Sequence, residues 1–120
     1  MLGPVEARYA IHVGDRDPYR VVDDAFLPLF TVKAPGGGSL APEGEALVVD
    51  GGEVSAVRRV PGAVEVRVFN PSGTAVSVGF GARSGWTVDL RGRPLAAFQG
   101  QVELSPWEIA TVRLPDGDQP

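Results

Sequence analysis

The chain has 120 residues, 43% of them hydrophobic and 22% charged, which is ordinary for one folded domain and argues against disorder. Its net charge of −4 argues against a nucleic-acid partner, which would need a basic surface. It contains no cysteine, which excludes disulfides and thiolate metal sites. No apolar run is long enough to span a membrane, and the N-terminus lacks the basic and apolar regions of a signal peptide. We therefore expect a cytoplasmic protein without a membrane partner.

The first predicted elements are a strand and a short helix. Apolar and polar side chains alternate strictly over residues 5–13, which predicts a strand with one buried face. Asp17 suits the N-cap of a helix and Pro18 its first position. Residues 19–26 place apolar side chains on one side of about two helical turns. Pro28 is expected to end this helix.

The next stretch is predicted to contain a long loop between short strands. Residues 29–33 are expected to form a strand, and the glycine- and proline-rich residues 34–45 a loop. Strands are predicted again over residues 46–49 and 54–60. The last of these contains Arg58 and Arg59. At least one of the two must reach solvent or a partner, because an unpaired buried charge is very costly.

The clearest pattern in the chain lies over residues 63–80. Apolar side chains alternate over residues 64–68 and again over 76–80, as they do on strands with one buried face. Residues 70–73, Asn-Pro-Ser-Gly, each favour a turn. The pattern predicts a β-hairpin around which the rest of the domain folds.

The remainder of the chain completes an all-β pattern. Further strands are predicted at residues 86–90, 95–98, 100–104 and 107–114. The total of about nine or ten short strands and one short helix predicts an antiparallel β-sandwich over residues 1–114. The polar residues 115–120 are expected to be a frayed tail.

The residues that could carry chemistry do not assemble into an active site in the sequence. His12 is the only histidine, so a site of several histidines is excluded within this chain, and no Gly-x-Ser-x-Gly elbow is present. An acidic cluster near the helix could in principle hydrolyse a glycoside, but turn and cap roles account for two of its members. The cluster consists of Asp15, Asp17, Asp23 and Asp24.

Four aromatic side chains could stack on sugar rings if they shared one face. Trp86 alternates with Val88 and Leu90, which favours a place in the core. Trp107 follows a proline at the start of a strand and suits either the core or a binding surface. The four residues are Tyr9, Tyr19, Trp86 and Trp107.

Five blocks together resemble the C-terminal β-domain of glycoside hydrolase family 38, the α-mannosidases. Residues 64–72, Val-Glu-Val-Arg-Val-Phe-Asn-Pro-Ser, resemble a family strand and its turn. Residues 88–95, Val-Asp-Leu-Arg-Gly-Arg-Pro-Leu, resemble its Val-Asp-Leu-x-Gly-x-Pro-Leu block. Residues 102–114 contain Leu-Ser-Pro-Trp-Glu-Ile, similar to its closing strands. Residues 55–59 and 9–15 resemble segments that precede these blocks, in the same order.

The resemblance implies a supporting domain of a larger enzyme rather than a catalyst. The family's zinc ligands and aspartate nucleophile belong to an N-terminal barrel for which this chain contains no motif. No catalytic, cofactor-binding or metal-binding residue is therefore carried over, and zinc is implied only for the parent enzyme's catalytic domain. The expected partner is the rest of that enzyme. Candidate substrate-cleft or interface residues are His12, Asp15, Arg16 and Trp107, although Arg16 stands where the family commonly has tryptophan.

A stand-alone β-sandwich module that binds carbohydrate or another protein is the alternative. A supporting domain separated from its enzyme, by contrast, is expected to expose the apolar patch that met its neighbour, and this patch could also support self-association. The loops over residues 14–17 and 34–45 are the best candidates for reaching a substrate cleft. This chain alone is expected to be inactive as an α-mannosidase.

Overall fold

The computed structural model describes residues 3–33, 36–38, 41 and 43–116 of the chain. The chain forms two compact units, Met1–Leu40 and Ala41–Pro120. The first contains one short helix and the second a five-stranded antiparallel sheet, so the protein is mostly β. Within the described part of the chain, no helix has the length and apolar composition needed to cross a bilayer. Parts of the predicted loop at 34–45 and of the predicted tail, residues 117–120, lie outside the described residues.

The helix of the first unit, α1 (Pro18–Phe26), is built as the sequence predicts. The Asp17 carboxylate accepts a hydrogen bond from the backbone N–H of Tyr19 at 3.0 Å, which satisfies one of the unpaired donors at the helix start. At the other end the N–H of Leu27 donates to the carbonyl of Asp23, and Leu27 is extended. Pro28 follows, as expected for a helix stop.

Two predicted strands of the first unit are absent. Residues 5–13 and 29–33 lie in neither helix nor strand. Alternation predicts which face a strand would bury, but a strand also needs a neighbour to accept and donate its backbone hydrogen bonds. Among the described residues of this unit there is no such neighbour. Residues 46–49 are not a strand either, and only Asp50 forms an isolated bridge, with Gly79.

The sheet of the second unit consists of two hairpins with the last strand between them. The first hairpin pairs β1 with β2, and the second pairs β3 with β4. The last strand, β5, pairs with both β2 and β3. The strands are β1 (Glu53–Val60), β2 (Ala63–Phe69), β3 (Val76–Val88), β4 (Pro94–Leu104) and β5 (Ile109–Pro115), in the spatial order β1-β2-β5-β3-β4.

The hairpin predicted over residues 63–80 is therefore wrong. Both of its strands exist, but β5 lies between them, so the turn at residues 70–73 connects strands that are not neighbours. The side-chain amide of Asn70 explains how this connection is held. It donates to the carbonyls of Thr74 at 2.7 Å and Ser105 at 2.9 Å, and the Asn70 N–H donates to the carbonyl of Glu108. The turn is thus tied to the chain that leads into β5.

Four short strands predicted between residues 76 and 104 are in fact two long ones. The pairing of β3 with β4 shifts between Gly79 and Ser84, where β3 carries extra residues. Before the shift, Val78 and Phe80 are buried; after it, Thr87 lies opposite the buried Val112. The core-facing side thus passes from even to odd positions without ending the strand. Together with the predicted strands at residues 5–13, 29–33 and 46–49, which do not form, this continuity leaves five strands in the described sheet instead of nine or ten.

The core of the second unit lies on one face of this sheet. Burying each of its large apolar side chains contributes about 1.5–3 kcal/mol. The members are Val66 and Val68 of β2, Val78 and Phe80 of β3, Leu104 of β4, and Val112 and Leu114 of β5.

The expectation for Arg58 and Arg59 is confirmed, since both are exposed. Arg58 pairs with Glu65, and Arg59 pairs with Asp116.

Candidate functional site

A line of charged and aromatic residues crosses the face of the sheet opposite the core. The registers place Arg58 of β1 opposite Glu65 of β2, Glu65 opposite Arg113 of β5, and Arg113 opposite Trp86 of β3. Residues that are directly opposite on neighbouring strands share a face of the sheet. Their strand neighbours Val64, Val66, Val112 and Leu114 point into the core instead. The four side chains therefore form one row on the second face.

Glu65 is the buried centre of this row. Only 4% of its surface is exposed, which would be very unfavourable for a carboxylate without partners. Arg113 donates to Glu65 Oε1 through Nε at 3.0 Å and Nη2 at 2.5 Å, and Arg58 donates to Oε2. These hydrogen bonds, first from Arg113 and then from Arg58, lower the pKa of Glu65 below its ordinary value of 4.5.

The turn between β3 and β4 covers part of this site. Asp89 organises the turn, because its carboxylate accepts from the backbone N–H groups of Arg91 and Arg93 and from the Arg93 guanidinium. These bonds, led by the backbone bond from Arg93, lower the pKa of Asp89. Gly92 approaches most closely: a Cβ there would lie 2.7 Å from Arg113 Nη2 and 3.6 Å from Glu65 Oε1. The backbone at Gly92 therefore closes one side of the ion pair.

Next to the turn, the second face opens into a shallow groove of about 160 Å³, lined by Ala56, Arg58, Glu65, Arg67 and Thr111. We call it the arginine groove. Arg67 donates through Nε to the Thr111 hydroxyl at 3.2 Å. Among the described residues, no carboxylate pairs with Arg67. Counting Arg113, which holds Glu65, three guanidinium groups face one carboxylate, so the groove suits an anionic ligand.

Trp86 stands at the end of the row and is 42% exposed, so its expected place in the core is wrong. The reason is its register. Trp86 lies opposite Arg113 on β5 and Ala97 on β4, whereas the core-facing Leu114 of β5 lies one position away. Alternation within β3 correctly grouped Trp86 with Val88, but it could not show which face of the sheet that group occupies.

Trp107 lies in an unusual turn between β4 and β5. The N–H of Glu108 donates to the carbonyl of Ser105 at 3.1 Å, and the Ser105 N–H donates to the Glu108 carboxylate at 2.7 Å. Trp107 occupies the third position with φ 62°, where glycine is the ordinary residue. A side chain in this region costs on the order of 1–3 kcal/mol. Trp107 is nevertheless 68% exposed, so burial does not offset that strain.

The Trp107 turn is fixed to the rest of the sheet by Asn70. Only 1% of the Asn70 surface is exposed. Its amide nitrogen donates to the carbonyl of Ser105, the first residue of the Trp107 turn, while its oxygen accepts from Ser72 at 2.9 Å. The Trp107 indole lies beside the turn at residues 70–73, since a Cβ at Gly73 would be 3.9 Å from it. The strained tryptophan therefore lies on a turn that a buried, hydrogen-bonded asparagine holds in place.

The other predicted site residues lie in the first unit. Arg16 forms an exposed ion pair with Asp24 at 2.7 Å, and Asp17 caps α1. The His12 ring lies near Gly14, where a Cβ would be 3.3 Å from His12 Nε2. Asp15 is exposed in the same segment. His12, Asp15 and Arg16 thus belong to one stretch of chain, and Trp107 belongs to the other unit.

In the described ranges, no group of three or more histidine or acidic residues is arranged to hold a metal ion. The ion-pair row through Glu65 was not predicted. Its signal was present in the sequence, because Glu65 alternates with buried valines and Arg58 and Arg113 each sit in a strand pattern. Only the strand order brings the three together.

Comparisons with models of protein families, with curated proteins and with solved structures found no match to this chain.

Proposed function

We propose that this chain is a non-catalytic β module that docks on a larger protein through the Trp107 turn. The observation that carries the proposal is the exposed Trp107 side chain at φ 62°. Glycine at this position would remove the strain, and the indole contributes little burial to the fold in return. A large, rigid aromatic side chain presented on a fixed turn is the usual anchor of a protein interface.

The sequence resemblance names the partner in this proposal as the catalytic part of a family 38 α-mannosidase. The larger β-sandwich predicted from the sequence belongs to the same proposal, with residues 5–13 and 29–33 becoming strands in the assembled protein. Support comes from residues 5–13, where the apolar side chains of the alternating row are left uncovered. Val5, Tyr9, Ile11 and Val13 are between 85% and 92% exposed.

Hydrolysis of an aryl α-mannoside tests the non-catalytic part of the proposal. The purified chain should show no turnover, with or without added zinc. Turnover at an ordinary enzymatic rate, retained through repeated purification, would overturn it.

Docking is tested with the catalytic part of a family 38 α-mannosidase that lacks its own C-terminal β-domain. We expect the chain to co-migrate with it in sedimentation velocity, and Trp107→Gly to abolish co-migration. Leu95→Ala is the control, because Leu95 is also 68% exposed but lies in β4, away from the turn. Absence of co-migration, or equal loss in both variants, would contradict docking through Trp107.

A carbohydrate-binding module is the second candidate, and the exposure of both tryptophans favours it. Titration calorimetry against mannose oligosaccharides separates the two candidates. Binding that is lost in Trp107→Ala while the fold is intact would favour the carbohydrate-binding module. Absence of binding at millimolar ligand would leave the docking module as the better account.

A further inference from the structure

We propose that the arginine groove binds the carboxylates of an acidic peptide segment. This inference concerns the arginine groove rather than the Trp107 turn and does not depend on the proposed function. It assigns a ligand chemistry to a surface for which the sequence alone predicted no role.

Charge complementarity favours an acidic ligand in the arginine groove. The chain as a whole carries a net charge of −4, yet the arginine groove and the adjoining Arg113 place three arginines around one glutamate, an excess of two positive charges. Glu65 does not repel a second carboxylate strongly, because Arg58 and Arg113 already neutralise it. The net charge at the arginine groove is therefore opposite in sign to that of the whole molecule.

The arginine groove also contains hydrogen-bond donors that no protein group uses in the described structure. Arg67 is exposed and makes one hydrogen bond within the described structure, from Nε to Thr111, so its two terminal nitrogens remain available to a ligand. The side chain of Arg58 is 69% exposed and uses one of its nitrogens on Glu65. A guanidinium group presents its donors in a planar fork that matches a carboxylate.

The arginines of the groove are preorganised by their neighbours. Glu65 fixes Arg58 and Arg113, Thr111 holds Arg67, and the Gly92 backbone closes one side. The arginines therefore lose less conformational freedom on binding than free surface side chains would. A groove of about 160 Å³ accommodates an acidic side chain. The small basic area and the negative net charge disfavour a nucleic-acid backbone.

Fluorescence anisotropy with a labelled hexaglutamate peptide at low salt tests the proposal, with hexaglutamine as the matched neutral peptide. We expect Arg67→Gln to weaken hexaglutamate binding by at least about tenfold, since a charge-assisted hydrogen bond is lost. Arg59→Gln is the control variant. It removes the same charge from the neighbouring strand, but Arg59 lies opposite Val64 and therefore points to the other face. Its effect should be much smaller.

Peptide binding by the variants distinguishes recognition in the arginine groove from attraction by overall charge. Selective loss in Arg67→Gln, with an unchanged melting temperature and with binding retained in Trp107→Gly, supports the proposal and separates it from docking through Trp107. Equal weakening by Arg67→Gln and Arg59→Gln would mean attraction by overall charge only and would overturn it. Binding of hexaglutamine with similar affinity, or tighter binding of a single-stranded oligonucleotide, would overturn it as well.

Discussion

At the scale of single residues, Trp107 combines an unfavourable backbone conformation with an exposed side chain. Its φ of 62° suits glycine, and the side chain is largely exposed. We therefore expect Trp107→Gly to raise the free energy of unfolding by about 1 kcal/mol, because the strain is released. The comparison is made by urea denaturation of the purified chain.

Trp107→Ala separates strain from the loss of the ring. Alanine keeps a Cβ at positive φ, so this variant should gain no stability. Both variants lose the indole contact beside Gly73, so the difference between them reports the strain alone. If the glycine and alanine variants have the same free energy of unfolding, strain at Trp107 does not contribute to stability, and docking through Trp107 loses its structural support.

At the scale of elements, the turn between β3 and β4 is fitted to the ion pair beneath it. Gly92 has φ 77°, and a Cβ would lie 2.7 Å from Arg113 Nη2. Gly92→Ala should destabilise the chain by about 2 kcal/mol, from unfavourable backbone geometry plus displacement of Arg113 from Glu65. Thermal or urea unfolding measures this loss.

Gly62 provides a matched control for Gly92. It lies in the turn between β1 and β2 with φ 71°, and a Cβ there would meet nothing within 4 Å. Gly62→Ala should therefore show the backbone cost alone, which is about 1 kcal/mol. Equal losses in the two alanine variants would mean that the β3–β4 turn does not support the ion pair.

The elements also show how far the sequence predicts this fold. The helix was predicted at its observed position, because Asp17 and Pro18 act locally at its start. The strands β2 and β5 were predicted by alternation, which is also local, and β1 was predicted between two turn signals. The hairpin at residues 63–80 was wrong because pairing depends on where β5 inserts, and β5 is about 30 residues distant in the chain.

The candidate sites, too, were predictable only where the signal is local in the sequence. Trp107 was recognised from its position after Pro106, whereas its strain depends on the turn that Asn70 holds. Glu65 was assigned only to an alternating pattern, since no local signal connects it with Arg113. Ion pairs across strands follow from strand order, so they become predictable only once the order is known.

At the scale of the whole molecule, two lowered pKa values make stability depend on pH. Glu65 and Asp89 have ordinary values of 4.5 and 3.8, and hydrogen bonds in the folded chain lower both. Above these ordinary values both carboxylates are ionised in the folded and unfolded states, so their full contribution is present. At lower pH the unfolded chain takes up protons first, and stability declines as the pH falls through the folded pKa values.

We therefore expect the free energy of unfolding to fall as the pH is lowered below about 5. Glu65→Gln should be less stable at neutral pH by about 1–3 kcal/mol, because it removes charge-assisted hydrogen bonds to two arginines. The gap between this variant and the natural chain should narrow on acidification, since both then carry a neutral side chain at position 65. Urea titrations across the acidic range measure both curves. Curves that stay parallel would mean that ionised Glu65 does not stabilise the sheet. Glu65 would then not hold Arg58 and Arg113 in place at the arginine groove.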